Sequence, residues 1–95
     1  MLTGKERARF RSQANLLKPI VMIGKDGLSE TVIDQIDQII EIRELIKIKI
    51  QNNSAEDARN VAEEVAKELH AEVIQVIGGI VVLYREAKEE ENNEE

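Results

Sequence analysis

Ninety-five residues, 42% of them hydrophobic, can build one core and no second, so a single domain is expected. The chain has no cysteine, which excludes disulfides and thiolate-held metals. No apolar run reaches the length of a membrane span or of a secretory signal, and a cytoplasmic protein is expected. The formal charge of −6 argues against a polyanionic partner until its distribution is read. Residues 1–25 carry six basic side chains (Lys5, Arg7, Arg9, Arg11, Lys18, Lys25) against Glu6 alone. Residues 26–85 carry six basic and twelve acidic residues, and residues 86–95 carry six glutamates against Lys88. Local potential rather than net charge guides a polyanion, so the basic head is a candidate surface for one.

In chain order, Thr3-Gly4-Lys5-Glu6 has the form of a capping box and opens a helix running to about Ala14. Phe10, Ala14 and Leu17 recur at helical spacing and are expected to face the core. Lys18-Pro19 ends this element, because the residue before proline is pushed out of the helical region. Pro19 to Ile23 then reads as a short buried strand. Ser29 caps a second helix whose stripe of Val32, Ile33, Ile36, Ile39 and Ile40 extends to about Arg43. From Leu45 to Ile50 the period changes to two, with Ile46, Ile48 and Ile50 on one face and Lys47 and Lys49 on the other. Ser54 and Asp57 are read as the cap of a third helix that buries Ala58, Val61, Ala62, Val65 and Leu69. Ala71 to Ile77 and Ile80 to Arg85 are expected strands joined by a Gly78-Gly79 hairpin. Residues 87–95 are apolar only at Ala87 and are expected to be a disordered acidic tail to a domain of residues 1–86.

The expected fold class is therefore α/β (α+β): a two-layer domain with an N-terminal helix followed by β-α-β-α-β-β and a four-stranded mixed sheet. Crossover helices favour parallel pairing among the first three strands, and the glycine hairpin makes the last pair antiparallel.

Between the first strand and the second helix lies Gly24-Lys25-Asp26-Gly27. A G-x-x-G loop lets the backbone approach a ligand closely, and the following helix end offers free N–H groups and a positive dipole. KH-type RNA-binding modules clamp single-stranded nucleotides with such a loop. The same spacing also occurs in tight turns with no ligand.

The stretches LTGKERARFRSQA, LLKPIVMIGKDGLSE, RELIKIKI and VIQVIGGIVVLYRE together resemble the CRM (chloroplast RNA splicing and ribosome maturation) domain in its stand-alone YhbY-like form. The resemblance runs from Leu2 to Glu86. It implies a fold similar to the C-terminal domain of translation initiation factor three, and RNA binding without catalysis. It further implies precursors of the large ribosomal subunit as the target of stand-alone members. Two positions depart from the family pattern. Gly79 stands where a lysine often follows the first hairpin glycine, and Asp26 puts a negative charge in the loop.

On this reading the protein binds structured ribosomal RNA, and Gly24, Lys25, Asp26 and Gly27 take a phosphate at the start of the second helix. Lys5, Arg9, Lys18 and Lys25 surround it with positive charge, while Lys47, Lys49 and Arg85 extend the surface across the sheet if that face is open. With only Phe10 and Tyr84 as aromatics, shape and phosphate contacts outweigh base stacking, apart from Tyr84 if exposed. No cofactor, metal, small-molecule substrate or membrane partner is expected, and the protein is expected to be a monomer. Asp34, Asp37 and Glu41 share a helix face and read as solvated rather than as a cation site. His70, the single histidine, has no second ligand and reads as structural; Ser12, Ser29 and Ser54 have no nearby histidine in sequence, which leaves no candidate catalytic residue. The alternative reading is a protein–protein adaptor whose basic head docks an acidic partner.

Overall fold

The computed structural model describes residues 2–52 and 57–87. Its elements run α1 (Gly4–Ala14), β1 (Val21–Ile23), α2 (Glu30–Arg43), β2 (Leu45–Ile50), α3 (Ala58–Leu69), β3 (Glu72–Ile77) and β4 (Ile80–Tyr84). The helix starts are set locally. The Thr3 hydroxyl accepts from the Glu6 amide while the Glu6 carboxylate accepts from the Thr3 amide, closing the capping box. That bond to the Thr3 amide holds the Glu6 carboxyl below its ordinary pKa. Ser29 caps Val32, and Asp57 caps Asn60. The proposed contribution of Ser54 lies outside the described residues.

The strand order is β1-β2-β4-β3. β1 pairs parallel with β2, and β4 pairs antiparallel with both β2 and β3. The first three strands thus point the same way, but β4 enters between β2 and β3, so the crossover through α3 does not join neighbours. Val81, Val82 and Leu83 are all buried, as suits a central strand covered on both faces.

One face of the sheet, with Val21, Ile23, Ile46, Ile48, Ile50, Val81 and Leu83, packs on α2 and α3 as the main two-layer core. Because side chains alternate along a strand, Leu45, Lys47, Lys49, Ile80, Val82 and Tyr84 belong to the other face. There α1 lies across the sheet, burying Ala14 against Ile74 and Val82 with Phe10, Leu45 and Tyr84 around them. Leu17 was expected to continue the α1 core stripe. The helix ends at Ala14, and Leu17 is left 36% exposed in the connection to β1. α1 covers only part of this face, and Met22 and Ile77 stand about 60% exposed beyond it (60% and 61%).

Two reversals use left-handed backbone. His70 ends α3 at φ 56° and ψ 43°. Glu44 turns α2 into β2 without a loop, at φ 68° and ψ −49°, a conformation that costs a non-glycine residue roughly 1–3 kcal/mol. It persists because its neighbours hold it: the Glu44 amide donates to Ile40, its carbonyl accepts from the Arg85 amide, and its carboxylate accepts from the Ala87 amide.

Candidate nucleic-acid interface

Gly24 to Gly27 form a tight turn in which the Gly27 amide donates to the Gly24 carbonyl at 3.0 Å. The backbone requires glycine at Gly27, whereas at Gly24 the nearest obstacle is the end of the exposed Gln51 side chain. Gly27 sits at φ 74°, where L side chains are strained, and a Cβ on Gly24 would lie 3.2 Å from the Gln51 side chain. Lys25 and Asp26 are exposed at the tip. Two amides expected to cradle a phosphate are engaged within the fold, that of Gly27 by Gly24 and that of Val32 by Ser29. Glu30 adds an acidic side chain to the first turn of α2. The anion-attracting part of this corner is therefore the turn with Lys25 more than the helix end.

The expected cations divide by place. Lys5 and Arg9 are exposed on α1, with the Arg9 guanidinium 5.9 Å from the Phe10 ring centre. α1 packs on the face that carries Lys47 and Lys49, so these four share one side of the sheet. Lys49 is exposed and in register with Met22, two residues before the turn, while Gln51 is the side chain nearest Gly24. Lys47 is half-buried and its Nζ donates to the Leu17 carbonyl at 3.0 Å. Lys18 is exposed in the segment leading to β1.

Arg85 does not belong to this surface, which corrects the expectation. It lies on the α2–α3 side, its side chain only 17% exposed, paired with Asp37 at 2.8 Å and Glu41 at 2.9 Å. It also donates to the Leu69 carbonyl at the end of α3 and to the Asp37 carbonyl. Arg85 ties the C-terminal strand to both helices, and Asp37 and Glu41 are its anchors rather than merely solvated charges. Arg7 acts similarly on the other face, donating to Glu72 and to the Val73 carbonyl and so fastening α1 to β3. Tyr84 is half-buried, and Phe10 stacks on its ring at 4.2 Å and 25°. The stacking takes up one face of each ring, and both residues are only partly exposed. Burial and nearby carboxylates raise the Tyr84 pKa.

The model of the CRS1/YhbY (CRM) domain matches residues 2–85. The chain belongs to the CRS1/YhbY (CRM) domain family. It is 44% identical over 89 residues to the Bacillus subtilis protein named "Probable RNA-binding protein YqeI", covering 94% of this chain and 93% of that one. It is 34% identical over 88 residues to a Haemophilus influenzae protein named "RNA-binding protein", covering 93% and 89% of the two chains. The solution structure of the hypothetical protein SAV1595 from Staphylococcus aureus superposes with a TM-score of 0.79 at 45% identity, over 94% of this chain and 93% of that one.

The CRM fold here gives one departure from the family pattern a geometric counterpart. The backbone at Gly79 approaches β2 so closely that a Cβ would lie 2.7 Å from the Ile50 carbonyl oxygen, and the Gly79 carbonyl accepts from the Ile50 amide at 2.7 Å. A CRM residue that sequence reasoning passed over is Arg43. The sequence marks it only as the end of α2, yet the turn at Glu44 sets it beside Lys18, Pro19 and Lys47 in a cleft of about 230 Å³. No local signal pointed there, because the cleft joins segments that meet only in the folded chain. On the α2–α3 side, a larger concavity of about 700 Å³ is lined by Asp37, Glu41, Glu68, Glu86 and His70 around Arg85. The charges of this acidic chain are thus unevenly spread, with cations prevailing on the α1 and β1 side despite Glu6 and Asp26, and acids prevailing over α2 and α3 despite Arg43, Arg59 and Lys67.

Proposed function

We propose that this protein is a non-catalytic RNA-binding protein that acts on ribosomal RNA during assembly of the large ribosomal subunit. The observation that carries the reading is the set of exposed cations on the α1 and β1 side of an acidic protein. Lys5, Arg9 and Lys49 are exposed on the α1 side of the sheet, Lys18 and Lys25 are exposed in the segments flanking β1, and none of them forms an ion pair among the described residues. Membership in the CRM family and the names of the relatives support RNA as the ligand. Lys25 and the backbone of the Gly24–Gly27 turn supply a phosphate contact, and the other lysines and arginines place the strand without reading its sequence. With both aromatics, Phe10 and Tyr84, stacked on each other and partly buried, recognition rests chiefly on phosphates and shape.

The test is fluorescence anisotropy with fragments of large-subunit ribosomal RNA over a range of salt. Affinity should fall steeply as salt rises, because bound phosphates release counterions. Lys5→Glu with Arg9→Glu should remove most of the binding while circular dichroism stays native. Lys25→Ala should weaken binding, and Asp26→Lys should preserve or strengthen it. Binding that is independent of salt and unchanged in these variants would refute the reading. Association with large-subunit precursors in cell lysates, resolved on sucrose gradients, tests the ribosomal assignment.

A further inference from the structure

Resting on the RNA-binding reading, we propose that the cleft around Lys18, Arg43 and Lys47 is a second phosphate subsite. Single-stranded RNA runs along β1 between this cleft and the Gly24–Gly27 turn. The cleft lies at the start of β1, formed by Leu17 to Ile20 on one side and by Arg43 and Lys47 on the other, and no acidic residue lines it. Lys18 and Arg43 are exposed and neither forms an ion pair among the described residues. Lys47 is held in place by one hydrogen bond to the Leu17 carbonyl, which leaves its other protons for an anion. Glu44, the nearest carboxylate in sequence, bonds the Ala87 amide instead. Three cations lining one cleft without an acid, in a chain of net charge −6, make a place where an anion such as a phosphate is attracted.

The two anion sites stand at opposite ends of one strand. From Pro19 to Gly24 at the rise of an extended chain is about 16–17 Å, roughly five steps of a stacked nucleic-acid strand. The surface between them alternates in character. Ile20 and Met22 are 37% and 60% exposed while Val21 between them is buried. Ile20 donates its amide to the Lys47 carbonyl and Met22 is in register with Lys49. The row is thus apolar on β1 and cationic on β2, which suits bases lying against aliphatic side chains with their phosphates toward the lysines. β1 is an edge strand, so its outward N–H groups are open to ribose and phosphate oxygens. A duplex buries its bases and has no use for the apolar half of this track.

The probes are fluorescein-labelled single-stranded RNA oligonucleotides of graded length and a blunt RNA duplex, titrated with the full chain at several salt concentrations. Arg43→Ala should weaken binding several-fold and lower the salt slope by about 0.7, the value of one phosphate contact on a single strand. The loss should appear only with oligonucleotides long enough to reach both sites, whereas Lys25→Ala should weaken short and long ones alike. Met22→Glu should weaken the single strand more than the duplex. Arg59→Glu on the exposed face of α3 is the charge control. Arg43 and Met22 are exposed, so native melting curves are expected and are measured alongside. If Arg43→Glu changes affinity no more than Arg59→Glu, or if the duplex binds more tightly than the strand, the track is wrong while RNA binding stands. If the parent protein binds neither probe at any salt, the RNA reading itself falls.

Discussion

Arg85 offers the sharpest separation between a binding residue and a structural one. Arg85→Met keeps the aliphatic stem and removes the guanidinium, which has two carboxylate partners and two carbonyl partners. The carboxylates of Asp37 and Glu41 are 49% and 38% exposed, so they regain water, and each lost ion pair costs at most about 1 kcal/mol. The bonds from a charged donor to the Leu69 and Asp37 carbonyls add about 1.5–3 kcal/mol between them after the longer 3.3 Å contact is discounted. The sum is about 3 kcal/mol, a large share of the roughly 5–15 kcal/mol that holds a domain together. For a domain of this size it corresponds to a fall in Tm of roughly 12–24 °C. Thermal and urea unfolding followed by circular dichroism measure it, and anisotropy below the lowered Tm measures RNA affinity, which should stay within about twofold of the parent because the change lies away from the basic side. Asp37→Asn with Glu41→Gln should reproduce part of the loss, and a double-mutant cycle should show the coupling. A Tm unchanged within about 2 °C together with a several-fold loss of RNA affinity would refute the reasoning and return Arg85 to the binding surface.

Two further outcomes are expected. Gly27→Ala forces a Cβ into a left-handed position at φ 74° and should cost about 1–2 kcal/mol, with Gly27→Asn milder; equal stability of the parent and both variants in urea would show that the turn relaxes freely. The Tyr84 phenol should titrate above the ordinary tyrosine value by ultraviolet absorbance, because burial disfavours the phenolate. Since the folded pKa is raised, this contribution to stability is complete below the unfolded value and is lost as pH rises through the range above it.

Much of the fold is legible in the sequence because it rests on short-range rules. The caps at Thr3, Ser29 and Asp57 are chemical groups within three residues of the amides they bond. The isoleucine stripe of α2 and the alternation of β2 state directly which side of each element is buried. The glycine turn before α2 is likewise visible, although its amides are more occupied than the motif implies. What periodicity does not encode is which element lies on the far side of a given stripe. The insertion of β4 between β2 and β3, the seat of α1 on the opposite face and the stacking of Phe10 on Tyr84 are decided by pairings between distant segments. Cations show the difference most clearly. A lysine or arginine looks the same in sequence whether it faces water or carboxylates brought in from another helix. Tertiary packing engaged Arg7 and Arg85, left Lys25 and Lys49 exposed, and brought Arg43 to the cleft at the start of β1, because each outcome depends on neighbours many residues away along the chain.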